Sequence, residues 1–281
     1  MRKLSAVLSL VILLSVATVL LGRSYTAPFS VVENPVSESG NWISGHAGST
    51  STACNGGTTY CWGDMKVIAG NLLVGNDEPT TYGDPTAILS GTWGDNQDVT
   101  LTLRTNGVQT GCCKESEIRL RSALGVQRGT CSNTNCNTGY EILCDMSDSG
   151  YALQVVKWFG PNGIQGVGFD YLDSGGTACV NGDVLRATIS GTGAATRIHV
   201  YKNGTEVSFG TYGTAGVQDP NVGGFAPYTG GAPGAAVYDT TQTAPFTGWN
   251  VGVSNFSATD GAGNTYPKYS GGRTWGSGKL N

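Results

Sequence analysis

Apolar and polar residues alternate in short runs along most of this chain, and this period of two constrains the fold more than any other feature. Residues 98–104 read DVTLTLR and residues 116–121 read SEIRLR. Such a run buries one face of a β-strand and presents the other face to solvent or to a ligand. Between the runs, Asn203-Gly204 predicts a tight hairpin turn, because this pair tolerates the positive φ angles of a type I′ turn.

Composition supports an all-β chain and excludes several other classes. The 281 residues include 44 glycines, and only 13% are charged, which argues against a helical bundle with its charged exposed faces. A hydrophobic fraction of 39% argues against disorder. About a dozen short strands in a chain of this length favour two antiparallel sheets packed as one sandwich.

The N-terminus carries an export pattern. Met1-Arg2-Lys3 is followed by an uncharged run, residues 4–22, rich in Leu, Val and Ala. This pattern predicts a secretory signal in residues 1–24, removed after Ser24, or an uncleaved membrane anchor, since the apolar run is long for a signal. Removal would shift the formal net charge from −4 to −7. We therefore expect an acidic protein outside the cell or at its surface, with no basic surface for nucleic acid.

Cysteine usage agrees with export. An even number of cysteines predicts disulfides rather than zinc, because no Cys-x-x-Cys pair occurs and the two histidines lie far from the cysteines in sequence. Short loops favour the pairs Cys54–Cys61 and Cys131–Cys136, and the neighbours Cys112 and Cys113 are expected to pair elsewhere. The eight candidates are Cys54, Cys61, Cys112, Cys113, Cys131, Cys136, Cys144 and Cys179.

Several segments taken in order resemble a known superfamily. These segments are residues 29–42 (FSVVENPVSESGNW), 139–142 (GYEI), 155–161 (VVKWFGP), 182–187 (GDVLRA), 198–204 (IHVYKNG) and 253–260 (VSNFSATD). The chain resembles secreted bacterial proteins of the concanavalin A-like lectin/glucanase superfamily, close to its laminin-G-like branch. The resemblance covers about residues 29–260 and implies a two-sheet antiparallel jelly roll, which we expect to comprise residues 25–260. Residues 261–281 have no strand pattern and are expected to form a Gly-rich tail. Because the superfamily holds lectins, glycosidases, lyases and adhesion domains, the fold leaves the function open.

Carbohydrate binding makes the smallest demands on the sequence. It needs aromatic rings that stack on a pyranose and polar groups that contact its hydroxyls. Trp62 lies beside a cysteine in a Gly/Thr-rich loop and is expected to be exposed, whereas the strand pattern places Trp158 in the core. The candidate ligand-binding residues are Trp62, Tyr140, Tyr228 and Tyr238. The sequence therefore predicts a lectin-like protein that recognises an extracellular polysaccharide.

A polysaccharide-cleaving enzyme is the first alternative. Glu115 and Glu117 lie on one strand face, about 7 Å apart. Retaining glucanases of the superfamily carry Glu-x-Asp-x-x-Glu, or a version one residue shorter. Here Glu117 takes the Asp position and Arg119 takes the last Glu position of the shorter version. We therefore interpret this face first as a charged solvent face with cross-strand ion pairs. As a lyase or glycosidase, the chain would use Glu117, Arg119, Arg121, Glu141 and His199.

Calcium and self-assembly are further options. Lectins of the superfamily often hold structural calcium, but the oxygen-rich clusters here lack the EF-hand spacing and are interpreted first as turn residues. These clusters are Asn76-Asp77-Glu78, Asp95-Asn96 with Asp98, and Asp145 with Asp148. No metal ligand set is assigned from the sequence. The second alternative to glycan binding is a structural surface protein that packs against copies of itself.

Overall fold

A computed structural model describes residues 22–45, 62–75, 84–107, 109–125, 136–148, 153–161, 165–176, 178–239 and 249–261. Its strands, in chain order, are β1 (Ser24–Thr26), β2 (Trp42–Ser44), β3 (Met65–Ile68), β4 (Leu72–Gly75), β5 (Thr86–Leu89), β6 (Gln97–Thr105), β7 (Lys114–Leu124), β8 (Cys136–Asp145), β9 (Leu153–Pro161), β10 (Phe169–Gly175), β11 (Val184–Ser190), β12 (Arg197–Lys202), β13 (Thr205–Glu206), β14 (Ala232–Asp239) and β15 (Val251–Thr259). The predicted hairpin turn at Asn203-Gly204 joins β12 to β13.

The strands form two antiparallel sheets, as the period of two predicts. The first sheet has the order β13-β12-β11-β6-β15-β4-β3, and β1 also pairs with β15. The second sheet has the order β10-β9-β8-β7-β14-β5-β2. Neighbours in each sheet are often distant in sequence, as in a jelly roll. The expected all-β fold, a jelly-roll sandwich of two antiparallel sheets, is confirmed.

Alternate residues of each central strand fill the space between the sheets. On β7, Ile118 and Leu120 belong to the main apolar core, and the Ser116 hydroxyl donates a hydrogen bond to the Gly252 carbonyl of β15, 3.0 Å away in the opposite sheet. The intervening residues of β7 therefore point away from the core. This outer face of the second sheet carries the candidate site.

A bulge on β7 turns one arginine out of the strand pattern. Between the pairs Leu120–Tyr140 and Ala123–Thr138, two residues of β7 face Gly139 alone, and Arg121 there has a φ of 47°. A Cβ at Gly139 would lie 2.7 Å from the Cα of Ser122, so only glycine fits opposite the bulge. The bulge therefore separates Arg121 from the face that carries Glu117 and Arg119.

The disulfides differ from the expected pairing at one place. Cys112 and Cys113 bond to each other, so the expectation that these neighbours pair elsewhere is wrong. A pair of adjacent cysteines can bridge when the backbone brings their side chains to the same side. Cys144 of β8 bonds to Cys179, which precedes β11 of the other sheet, and Cys136 is also disulfide-bonded. The expected pairs involve Cys54, Cys61 and Cys131, which lie outside the described residues.

The predicted terminal segments fall mostly outside the described residues. The signal or anchor comprises residues 1–24, of which 1–21 are not described, and the tail comprises residues 261–281, of which only Gly261 is described. Among the residues that are described, no helix has the length and hydropathy needed to cross a membrane.

Candidate functional site

Four neighbouring strands of the second sheet build the floor of the site. Register pairs Arg119 of β7 with Glu141 of β8, Glu141 with Val156 of β9, and Val156 with Tyr171 of β10. Residues paired directly across antiparallel strands point to the same face. A row of charged and then apolar side chains therefore crosses the outer face of the sheet.

A single arginine lies among three carboxylates in this floor. Arg119 Nη1 lies 2.5 Å from Glu141 Oε2, and Nη2 lies 2.7 Å from Glu117 Oε2 and 2.8 Å from Asp84 Oδ1. Only 3% of Arg119 and 1% of Glu117 are exposed. Neither oxygen of Glu117 accepts a hydrogen bond from the described residues, so charge attraction to Arg119 is its main compensation.

Aromatic side chains cover the charged cluster. The rings of Trp62 and Trp158 meet edge to face at 4.5 Å, and Phe169 lies 4.7 Å from Trp158. The Arg119 guanidinium lies 5.2 Å from the Trp62 ring and 5.6 Å from the Trp158 ring, within cation–π range. The Trp158 indole N–H donates a 2.6 Å hydrogen bond to Glu141. The charged and aromatic groups thus form one connected layer.

A pocket of about 250 Å³ opens over this layer. Its wall combines carboxylates, aromatic rings and aliphatic side chains. The lining residues are Asp84, Cys113, Glu115, Glu141, Leu143, Val156, Trp158, Phe169, Tyr171 and Tyr238. The volume is slightly below the roughly 300–1,000 Å³ of pockets that hold drug-sized ligands, so the pocket suits one small ring-shaped group.

Glu115 is the carboxylate of the wall that lacks a partner. Register places it between Tyr238 of β14 and Asp145 of β8. Within the described part of the chain, no hydrogen bond or ion pair engages its carboxylate. Burial raises the pKa of Glu115 well above its usual value, and the charges of Glu141 and Asp145 raise it further.

The carboxylates on either side of Arg119 also resist ionisation. Burial raises the pKa of Asp84 to about 7, against the lowering effect of Arg119. Burial likewise raises the pKa of Glu117 well above its usual value, with the charge of Asp84 adding to the shift. Burial would lower the pKa of Arg119, but Glu141, Asp84 and Glu117 together raise it above the ordinary value. The arginine therefore stays charged, while Asp84 and Glu117 hold their protons more tightly than carboxyl groups in water do.

The donor set does not suit a structural calcium ion. Oxygens of Asp84, Glu117 and Glu141 lie within 4.8 Å of one another, close enough to hold a cation. The Arg119 guanidinium contacts all three carboxylates and so supplies the positive charge at their centre. A calcium ion, which takes six to eight oxygen ligands, would have to displace it. The arginine and the metal are thus alternatives at this position.

The described residues of the oxygen-rich clusters accept hydrogen bonds from backbone amides or form ion pairs. Asp95 accepts a hydrogen bond from the Gly230 amide, Asp98 pairs with Arg186, and Asp145 accepts from the Lys114 amide. Asp148 accepts from the Gly111 amide. The cluster at residues 76–78 lies outside the described residues.

The four aromatic candidates from the sequence separate into two groups. Trp62 is only 1% exposed, so the expectation of an exposed ring is wrong: the ring packs over Arg119 and Trp158. Tyr140 and Tyr228 are buried on the core side, where the Tyr140 hydroxyl donates to Asp219 at 2.8 Å. Burial and then the charge of Asp219 raise the pKa of Tyr140. Tyr238 lines the pocket.

The tyrosines of the core side belong to a separate polar cluster. The Tyr228 hydroxyl donates to the Trp158 carbonyl at 2.9 Å, and Lys157 Nζ lies 2.6 Å from Asp219. These contacts bind the segment before β14 to the second sheet. They therefore have a structural role and do not face the pocket.

The candidate catalytic residues do not form one group. Glu117, Arg119 and Glu141 lie together, and they are buried, so the interpretation as a solvent face is wrong. The cross-strand ion pair between Arg119 and Glu141 is present. Arg121 and His199 are elsewhere.

Arg121 and His199 have other partners. Beyond the bulge, the Arg121 guanidinium donates to the carbonyls of Asp95, Tyr228 and Gly191, each at 2.6 Å. Burial lowers the pKa of Arg121. His199 lies on β12 of the other sheet, where Nδ1 is 2.6 Å from Glu206. Neither side chain lines the pocket.

Sequence reasoning missed several residues of the pocket. Asp84 and Phe169 carry no local signal, since their roles depend on strands far along the chain. Trp158 is buried, as expected, but on the outer face. Its spacing of two from Val156 placed both residues on one face, and the register with Glu141 shows which face that is.

Comparisons with known proteins return similar folds at low identity. No protein-family model matches the chain, and no curated protein matches it. Similar solved structures include the metal-free carbohydrate recognition domain of Emp46p (12% identity, 85% of this chain and 97% of that chain, TM-score 0.47). The carbohydrate binding module CBM66 from Bacillus subtilis shares 12% identity over 77% of this chain and 94% of that chain, with a TM-score of 0.45.

A third similar structure is an enzyme. A β-1,3-1,4-glucanase (lichenase) derived from a mouse hindgut metagenome shares 13% identity over 85% of this chain and 99% of that chain, with a TM-score of 0.45. These similarities concern the arrangement of the sheets.

Proposed function

We propose that this protein binds an extracellular glycan in the pocket on the outer face of the second sheet. The observation that carries the proposal is the shared wall of aromatic rings and carboxylates around a cavity of about 250 Å³. Aromatic faces stack on the apolar face of a pyranose, and carboxylates accept hydrogen bonds from its hydroxyls.

The aromatic residues at the pocket suit a ring-shaped ligand. Phe169 and Tyr171 meet edge to face at 5.6 Å, and Tyr171 is 40% exposed. An exposed ring beside a half-buried one offers a stacking surface that a ligand reaches without rearranging the core. Register places Tyr171 at the outer end of the row that starts at Arg119. A glycan chain would therefore contact Tyr171 first and the carboxylates after it.

Polysaccharide cleavage is a second candidate, supported by the clustered carboxyl groups. Glycosidases need one protonated and one ionised carboxyl group across the scissile bond. The pKa of Glu115 is raised, which suits a proton donor, while Glu141 also faces the pocket and is paired with Arg119. Of the residues first considered for cleavage, Arg119 pairs with both Glu117 and Glu141, whereas Arg121 and His199 lie outside the pocket.

One experiment separates the two candidates. Purified protein is incubated with a panel of insoluble and soluble polysaccharides, and the supernatant is analysed for released oligosaccharides and for remaining protein. Depletion by one polysaccharide without release supports binding. Release of oligosaccharides would support cleavage instead, and neither release nor depletion would contradict both candidates.

A pair of matched variants locates the site. Tyr171→Ala should weaken depletion by about five- to tenfold, as expected for loss of one stacking ring. Tyr201→Ala removes a ring from the outer face of the other sheet, where it lies 4.9 Å from the Arg186 guanidinium, and should leave depletion unchanged. Equal effects of the two variants would contradict the assignment of the pocket.

We also propose that the protein is exported and that it is related to the laminin-G-like branch of the superfamily. All five described cysteines are disulfide-bonded, which favours an oxidising compartment. The large apolar side chains exposed on the described surface are those of Val31, Val32, Val167, Tyr171, Val180 and Val184.

A further inference from the structure

The pocket contains more negative groups than its single arginine can balance. Asp84, Glu115 and Glu141 line it, and Glu117 contacts Arg119, the cation that pairs with three of these four carboxyl groups. Lys114, the next cation on β7, is paired with Asp239 at 3.1 Å. A neutral sugar would bring no cation to these carboxyl groups.

Without a ligand, the excess negative charge is reduced because several of these carboxyl groups stay protonated. The pKa values of Asp84, Glu115 and Glu117 are all raised, and burial is the main cause at each position. A positively charged ligand would neutralise the carboxylates in place of these protons, because a nearby ammonium group favours the ionised form. Binding of a cation should therefore release protons to the solvent.

The aromatic wall favours a cation as well. Ring faces attract ammonium groups within about 6 Å of the ring centre. The rings of Trp158, Phe169 and Tyr171 form a continuous series with neighbouring centroids 4.7 and 5.6 Å apart. A pyranose that carries a free amine offers an apolar face for these rings and a charge for the carboxylates.

We propose that the pocket selects an amino sugar, a glycan residue with a free and protonated amine, over neutral and N-acetylated sugars. This inference rests on the proposed function, since it specifies the class of glycan. Glu115 is the residue that decides the preference, because its carboxylate lines the pocket and no described residue pairs with it. Its neighbours across the sheet are Tyr238 and Asp145, neither of which is a cation.

Calorimetric titration tests the proposal with three probes: an oligomer of glucosamine, the matching oligomer of N-acetylglucosamine, and a neutral glucan oligomer. At pH 5.5, where the amine is already protonated, the glucosamine oligomer should bind about tenfold more tightly than the others, as expected for an ammonium that gains a charge-assisted hydrogen bond. At the same pH, titrations in buffers of different ionisation enthalpy should show net proton release for the glucosamine oligomer alone, because the ligand brings its own proton and the carboxyl groups of the pocket lose theirs.

A conservative variant tests the role of Glu115. Glu115→Gln keeps the size of the side chain and should remove most of the preference for the amine. Glu206→Gln makes the same change on the other sheet and should leave the preference intact. Circular dichroism and thermal unfolding of both variants check that the fold is retained.

Each remaining outcome contradicts a defined part of the proposal. Binding of the N-acetylated or neutral oligomer at least as tightly as the amine would overturn the inference and leave glycan binding in place. Binding of free lysine as tightly as glucosamine would also overturn it, because charge alone would then be recognised. If no oligomer binds and no polysaccharide depletes the protein, both the inference and the proposed function fail.

Discussion

Arg119 and Glu141 face each other across the pairing of β7 with β8, with Nη1 of the arginine 2.5 Å from Oε2 of the glutamate. The same Glu141 oxygen accepts the hydrogen bond from the Trp158 indole at 2.6 Å. One carboxylate oxygen therefore links the central cation of the cluster to the aromatic wall of the pocket. A change at either end of this contact should affect both stability and the shape of the site.

Loss of the arginine should destabilise the protein strongly. Arg119→Met keeps an apolar stem but leaves Asp84, Glu117 and Glu141 buried without their cation, at a cost of about 3–5 kcal/mol in the free energy of unfolding. Urea unfolding measures this cost, with Arg197→Met as a control, since Arg197 donates to carbonyl groups near the surface. The loss should be smaller at pH 5 than at pH 8, because protonated carboxyls need no cation. Similar losses for the two variants would argue against a central role for the cluster.

The contribution of Asp84 to stability should fall as the pH rises from about 4 to about 7. The pKa of Asp84 is about 7 in the folded protein and about 4 in the unfolded chain, so the folded state holds the proton more tightly. The contribution is therefore fully present below the unfolded value and is lost as the pH rises through 7. Thermal unfolding across this range should show the decline, and Asp84→Asn should flatten it. An unchanged slope in this variant would show that another group titrates.

The two described disulfides should differ in their effect on stability. Cys144–Cys179 closes a loop over a separation of 35 residues and connects the two sheets, so the double variant to Ala should lose about 2–4 kcal/mol. Cys112–Cys113 joins adjacent residues and constrains the unfolded chain little, so its double variant to Ser should unfold at nearly the same denaturant concentration. Non-reducing peptide mapping should find Cys112 and Cys113 linked within one peptide. A cross-link from either cysteine to a distant peptide would contradict this assignment.

Arg23 should stabilise the start of the fold. Its amide donates to the Asp260 carboxylate, one guanidinium nitrogen donates to the Ser90 carbonyl at 2.7 Å, and the guanidinium lies 4.4 Å above the Trp93 ring. A chain that starts at Tyr25, as after the predicted cleavage, should be less stable than one that starts at Gly22 by about 1–2 kcal/mol. Chemical unfolding of the two chains measures the difference. Equal stability would show that these contacts contribute little.

Much of the fold follows from local patterns in the sequence. The alternation in 98–104 and 116–121 identifies β6 and the centre of β7, and Asn203-Gly204 marks the turn between β12 and β13. Alternation also places Glu117 and Arg119 on one face of a strand. These features depend on residues a few positions apart, so the chain determines them without reference to distant segments.

Only the tertiary structure decided that the face with Glu117 and Arg119 is buried. Glu117 and Arg119 are buried because Asp84, Trp62 and Trp158, all distant in sequence, cover them. A strand pattern distinguishes two faces but does not show which one other segments will cover, so a buried charged cluster and a solvent face have the same sequence pattern. The bulge that removes Arg121 and the assignment of His199 to the opposite sheet depend in the same way on long-range pairing. The sequence by itself therefore determined the strands and their alternating faces, and the packing of distant segments determined the pocket and the acidity of its carboxyl groups.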